Sequence, residues 1–178
     1  LAFVFVSTSP ASGTLSRPGE GWGEVELLFG FVFVAFLIII FVYDLKHYLI
    51  LDKIVFPAAI LAMGYQGYKG YLGEALLGAG ALAGFFAFLY LVSRGRWIGL
   101  GDAKLGLFLG ALVPWPQTIV LFFLAYLFGA LVSVPLLLFG RKRFSDRLPF
   151  GTFLTAAAFV AMLYGERITS WYLKLIGL

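Results

Sequence analysis

Cysteine is absent from the 178 residues, and histidine occurs once, at His47. The first absence removes disulfides, thiolate metal sites and cysteine nucleophiles together. The second leaves no histidine pair to hold a metal and argues against a Ser–His relay. Charge is also scarce: 12% of residues are charged and 62% are hydrophobic, whereas an ordinary globular chain is about a quarter charged and about half apolar. A soluble domain of this size could not hide so much apolar surface. The catalytic inventory that remains is four Asp, five Glu, His47, and Lys, Ser and Tyr.

Present in abundance are long runs without charge, and the mean hydropathy is +0.99. Such runs make lipid the solvent for most of the chain. The net charge of +4 therefore reports topology rather than nucleic-acid binding. Residues 1–6 are apolar but short, with no basic stretch before them, so they read as the tail of a preceding span and not as a signal peptide. Residues 7–23 are rich in Ser, Gly and Pro and read as an extracytoplasmic loop. The expected organisation is thus 1–23 as span tail and loop, and 24–178 as a membrane-embedded domain.

Spans are expected at 25–43, 54–68, 72–92, 105–113, 118–139 and from 149 to about 164, with Leu100 to Lys104 as the first turn of the fourth. The tail from Glu166 is amphipathic or prolongs the last helix. The second and fourth runs are the shortest. The fold class expected is all-α, a polytopic transmembrane helix bundle of about six spans. Trp22, Trp97, Trp115 and Trp171 fall near the expected interfaces, as aromatic belts do.

Placing the link after the first span in the cytoplasm puts Lys46, Lys53, Arg94, Arg96, Lys104, Arg141, Lys142, Arg143 and Arg147 inside. Only Arg17, Lys69, Arg167 and Lys174 fall outside, so the count is nine against four in the direction that the positive-inside rule requires. All four Asp then lie inside and all five Glu outside.

Asp44 closes the first span and Asp102 opens the fourth, at the same face. They meet if those two helices pack together. Small residues favour close packing in lipid, and Gly106 with Gly110, and Gly80 with Gly84, have the GxxxG spacing. Either Asp alone reads equally as a solvated helix end, and Asp102 as a partner of its own helix dipole. Brought together, two carboxyls share a proton. One then acts as base toward water and the other as acid toward a peptide group, and the pair titrates as a unit. Gly99 and Gly101 would leave room for extended substrate backbone beside the acid and let the helix start loosely.

Gly99-Leu100-Gly101-Asp102 is the GxGD pattern of intramembrane aspartyl proteases, and the chain resembles the type IV prepilin peptidases over roughly residues 25–165. Asp44, followed by Asp52 and Pro57, is similar to the family's first motif, with Leu51 where the family usually has Pro. Gly101-Asp102-Ala103-Lys104-Leu105 matches the second, and Pro149-Phe150-Gly151 a third. Two whole spans lie between the acids, which suits this family better than presenilin-like proteases. The resemblance implies an aspartic endopeptidase with Asp44 and Asp102 catalytic. Gly99, Gly101, Lys104, Pro149, Phe150 and Gly151 would support them. The substrates implied are type IV prepilins or pseudopilins of pilus or type II secretion systems, cut after a short basic leader at the cytoplasmic face of a bacterial or archaeal inner membrane. Larger members carry a Cys-rich, zinc-binding segment and methylate the product from S-adenosylmethionine. That segment is absent here, so the cofactor is expected only with a methyltransferase part, and proteolysis needs none.

Lys104 reads as tuning the pair or as a topology anchor. Lys46 and His47 read as solvated link residues, Asp52 as the N-cap of the second helix, and the Arg141–Arg147 group as a headgroup anchor. Pro149-Phe150-Gly151 reads as a helix start or as part of the active-site mouth. The competing functions are a proton- or cation-coupled transporter using the same Asp pair and a non-catalytic scaffold. Both acids lie at one face rather than at mid-membrane, which weighs against transport.

Overall fold

Uncharged apolar runs coil in lipid because every backbone amide must be paired within the segment. The computed structural model describes residues 24–138 and 149–175, and these form six α-helices with no strand. They are α1 (Glu24–His47), α2 (Asp52–Tyr68), α3 (Leu72–Ser93), α4 (Leu100–Leu112), α5 (Gln117–Leu138) and α6 (Phe150–Leu175). The span tail and loop expected at 1–23, Arg17, Trp22 and the Arg141–Arg147 group lie outside the described residues.

Three of the six helices, α1, α3 and α5, are long and apolar enough to cross a membrane. Their outer faces carry exposed Phe31, Ile38, Leu77, Phe88, Phe123 and Leu131, as expected of surface solvated by lipid rather than water. Six helices stand where about six spans were expected, and the second and fourth are again the shortest. Helix α2 has 17 residues and α4 has 13. At about 1.5 Å per residue α4 reaches only about 20 Å, short of the roughly 30 Å hydrocarbon layer.

Helix α4 can be short because protein, not lipid, surrounds it. It packs chiefly on α3 and α2, and more lightly on α6, while α5 pairs with α6 and α1 with α6. Leu105, Phe108, Leu109 and Ala111 are fully buried. Expected close packing at Gly106 and Gly110 is present. A Cβ on Gly106 would lie 3.1 Å from the Leu82 carbonyl carbon. One on Gly110 would collide with the Gly78 carbonyl and come within 2.6 Å of the Ala79 nitrogen. The matching surface on α3 is therefore Gly78, not the expected Gly80 and Gly84, which have nothing within 4 Å. GxxxG spacing identifies small residues but not the face that a neighbour chooses.

Two boundaries differ from expectation. Helix α1 does not stop at Tyr43 but runs through Asp44 and Lys46 to His47. It ends where Tyr48 takes a left-handed φ of 54° and donates its N–H to the Asp44 carbonyl oxygen at 2.8 Å. Asp52 is not the cap of α2. The N-cap is Leu51, with no side-chain cap bond, and Asp52 is the first helical residue. Its carboxylate instead accepts from Lys104 Nζ at 2.6 Å. The tail from Glu166 prolongs α6 without a break.

Gly110→Ala should destabilise the protein by about 1–3 kcal/mol, because backbone on both sides prevents relief of the overlap. Gly84→Ala, at an open position, should leave stability unchanged. Thermal unfolding of the two variants in detergent compares them directly.

Candidate active site

The last turn of α1, the first turn of α4 and the first turn of α6 lie at one end of the bundle. Each delivers one component of a common site: Asp44, Asp102 and the Gly151-Thr152 pair. Between them sits Ile50 from the α1–α2 link. A Cβ on Gly101 would lie 3.1 Å from the Ile50 Cβ. One on Gly151 would lie 3.1 Å from the Ile50 Cδ1 and 2.9 Å from Asp44 Oδ2. A side chain at either position would make Ile50 give way, and at Gly151 it would also press on the Asp44 carboxyl. Room for substrate backbone, the expected reason for Gly101, is not what the structure shows there, because Ile50 fills that side. Gly99 is the N-cap of α4 in extended conformation, and a Cβ would meet nothing closer than 3.6 Å.

Asp44 is 4% exposed. Its Oδ2 accepts from the Thr152 backbone N–H at 2.6 Å and from the Thr152 hydroxyl at 2.9 Å. Both donors belong to the first turn of α6, where backbone N–H groups carry partial positive charge; the Thr152 N–H also reaches the Pro149 carbonyl oxygen, at the longer distance of 3.2 Å. Two aimed donors are what a buried carboxylate needs in place of water.

Asp102 stands in the first turn of α4, outside the three membrane-crossing helices. Its Oδ2 accepts the Gly99 N–H at 3.2 Å. Burial pushes its carboxyl above the usual carboxylate range; the Gly99 hydrogen bond opposes this and the negative charge of Asp44 adds to it. The Asp44 charge thus acts on the Asp102 carboxyl. The packing of α1 on α4, on which their meeting was expected to depend, is slight. The two helices touch lightly, as where the Phe36 and Phe108 rings lie 6.5 Å apart, while α6 packs on both and holds Asp44 directly.

An aromatic wall flanks the acids. Phe150 lies 5.6 Å from the Phe86 ring and 5.5 Å from the Tyr126 ring. Tyr126 is near enough to Asp102 for that charge to act on its hydroxyl. Pro149-Phe150-Gly151 therefore fits both readings open to it: it starts α6, and that start forms part of the site. Lys104 points toward α2, pairing with Asp52 and lying 5.9 Å from the Phe56 ring centre. That geometry is a tie between two helix starts. His47 stacks on Tyr43 at 4.5 Å.

Sequence reasoning missed Thr152, Ile50 and Tyr126. Thr152 directly follows a motif that it did single out, and a hydroxyl residue in a first helical turn near an acid is a signal that was available. Ile50 and Tyr126 offered none, since each is one apolar or aromatic residue among many.

Comparison with known proteins adds an independent line. Residues 31–134 match the model of the type IV leader peptidase family. The chain is 34% identical over 166 residues to the prepilin leader peptidase/N-methyltransferase of Aeromonas salmonicida (strain A449), covering 88% of this chain and 55% of that protein. It is 32% identical over 159 residues to the protein of the same name from Bacillus subtilis (strain 168), covering 85% and 62%. For that of Pseudomonas aeruginosa the figures are 32% over 140 residues, 75% and 48%. The chain thus spans about half to three-fifths of the length of these relatives. No solved structure matches. With a matched stretch that covers more than half of its residues, this membrane protein belongs to the type IV leader peptidase family.

Proposed function

We propose that the chain is an aspartic endopeptidase that removes the basic leader from type IV prepilins or pseudopilins at the cytoplasmic face of the inner membrane. The observation that carries the reading is the placement of a buried Asp44 and a half-buried Asp102 at one end of a membrane bundle, with the Asp44 charge acting on Asp102. Family membership and the names of the relatives supply the substrate class. The excess of Lys and Arg expected at the Asp44–Asp102 end supports the cytoplasmic side.

The chemistry follows from the pair sharing one proton. The ionised carboxyl takes a proton from water as the water oxygen attacks the scissile carbonyl carbon, and the protonated carboxyl gives its proton to the carbonyl oxygen. Collapse of the tetrahedral intermediate breaks the C–N bond, and the amine leaves with the proton first taken from water. No cofactor enters these steps. S-adenosylmethionine would enter only with a methyltransferase part. Of the described residues against the acids, Ile50, Gly101, Phe150 and Gly151 are apolar or small and Thr152 is engaged with Asp44, so no methyl-transfer step is derived.

Purified protein in detergent should cleave a prepilin-like peptide after the leader glycine. Asp44→Ala and Asp102→Ala should each reduce the rate by about 100- to 10,000-fold, the usual worth of positioned acid–base groups. Full-rate cleavage by either variant would sink the proposal. Proton or cation flux through liposomes without any cleavage would instead establish the transporter reading.

The pH dependence has a definite sign. Burial raises Asp102, so the folded protein holds that proton where an unfolded chain has lost it. Ionisation of Asp102 therefore costs stability. The proton's contribution is fully present at pH below the ordinary carboxylate range and fades as pH rises through the raised value. Cleavage should fall on the same alkaline limb, because the general acid is lost. A pH–rate profile should show that limb well above the ordinary carboxylate range.

A further inference from the structure

We infer that Thr152 is a positioning residue that makes Asp44 the base of the pair and leaves its Oδ1 as the atom that takes the proton from water. This rests on the peptidase reading above and deepens it, since a symmetric pair does not say which acid does which job.

The geometry is asymmetric. Asp44 Oδ2 accepts both a backbone N–H and a hydroxyl, at 2.6 and 2.9 Å. An oxygen that accepts two aimed donors has no room for a proton of its own. Asp102 Oδ2 accepts one donor, at the longer distance of 3.2 Å. The shared proton is therefore better placed on Asp102, and Asp44 is left to act as base through its other oxygen.

That oxygen is open. Asp44 Oδ1 takes no hydrogen bond, and among the described residues no buried side-chain oxygen lacks a partner. Oδ1 must therefore retain access to the space beside the carboxyl, where a water can stand. The titratable groups facing the carboxyl across the site are Asp102 from α4 and, beyond it, Tyr126 from α5. His47, one turn further along α1, is occupied in stacking on Tyr43.

Thr152 is itself fixed. It is buried, and its carbonyl oxygen accepts the Thr155 hydroxyl at 3.0 Å while the Gly151 carbonyl accepts the same hydroxyl at 2.9 Å. The first turn of α6 is thereby braced from within. The donors reach Asp44 only because Gly151 has no side chain. Its Cβ would stand 2.9 Å from the same Oδ2.

In the reaction, water gives a proton to Asp44 Oδ1 as its oxygen bonds to the carbonyl carbon. Asp102 gives its proton to the carbonyl oxygen. When the C–N bond breaks, Asp44 Oδ1 passes its proton to the departing amine, and Asp102 recovers its own from the hydroxyl that becomes the new carboxyl.

The test compares Thr152→Val, which keeps the shape and the backbone N–H but loses the hydroxyl, with Thr152→Ser, which keeps both donors. Measured on a prepilin-like peptide, Thr152→Val should lower kcat by roughly tenfold to a hundredfold, the size of one hydrogen bond to a charged group. KM should stay within about twofold, and Thr152→Ser should restore most of the rate, as expected where a change affects the chemical step and not substrate binding. A Ser variant as slow as the Val variant, or a loss that appears in KM alone, would overturn the inference.

A second measurement keeps the two proposals separable. Thermal unfolding of wild type, Thr152→Val, Asp44→Asn and the double variant forms a cycle that reads the Thr152–Asp44 link without any catalysis. Coupling between the two changes supports the link even if wild type fails to cleave, a failure that would count against the peptidase reading alone. Additive effects overturn the assignment of Thr152 whatever the activity.

Discussion

A carboxylate taken out of water must be given hydrogen bonds or lose its charge. In this bundle Asp44 is given them by one residue, Thr152, from the far end of the sequence. The bond therefore joins the first described helix to the last. It also sets where α6 begins, because a first turn displaced by one residue would aim a different N–H at the carboxyl. The other features at this end of the molecule follow from that contact. Gly151 is small so that the turn can approach, and Ile50 fills the space that remains. Gly101 is small so that α4 can come up against Ile50 from the other side.

Helix α4 carries the second acid, and its position is set by packing rather than by its own length. A 13-residue helix has little claim to a membrane position alone. Its claim comes from α3, against which Gly106 and Gly110 bring backbone onto backbone, and from α2. Two polar ties fix its ends. Gln66 Nε2 donates to the Leu112 carbonyl at 3.2 Å at one end, and Lys104 pairs with Asp52 at the other. The exposed Lys104–Asp52 pair is worth little in energy and links the starts of α2 and α4 beside Asp102. The buried amide bond at Leu112 satisfies a carbonyl that the helix end leaves without a partner.

Much of this was legible in the sequence, for reasons that can be named. Uncharged length identified α1, α3 and α5, because lipid demands it, and Pro114 and Pro116 marked the end of α4. Alternation of spans put Asp44 and Asp102 at one end. What sequence could not supply was the choice of neighbour. Gly80 and Gly84 have the same spacing as Gly106 and Gly110, yet only the latter pair meets a helix, with Gly78 opposite. Similarly, the acids were expected to meet only if α1 and α4 packed together, while the structure interposes α6 and Ile50. Which faces touch is a property of the whole bundle, and a residue such as Ile50 is ordinary until three segments converge on it. Asp52 shows the competition within one residue: it has the composition of a cap, but Lys104 brings a charge and the backbone caps itself at Leu51.

The position of the acids at the end of the helices, not midway along them, has a chemical consequence. Hydrolysis consumes water, and a peptide bond inside a substrate helix is shielded by its own hydrogen bonds. For the proposed hydrolysis a site at the bundle end suits both needs, because a helix frays first at its own end. The aromatic wall of Phe86, Phe150 and Tyr126 provides apolar surface on one side of the carboxyls. The braced first turn of α6 provides fixed dipoles on the other. Dipoles held in place before the reaction do not have to reorganise during it. The arrangement thus places the hydrogen-bond donors of Asp44 on a helix start that is braced from within.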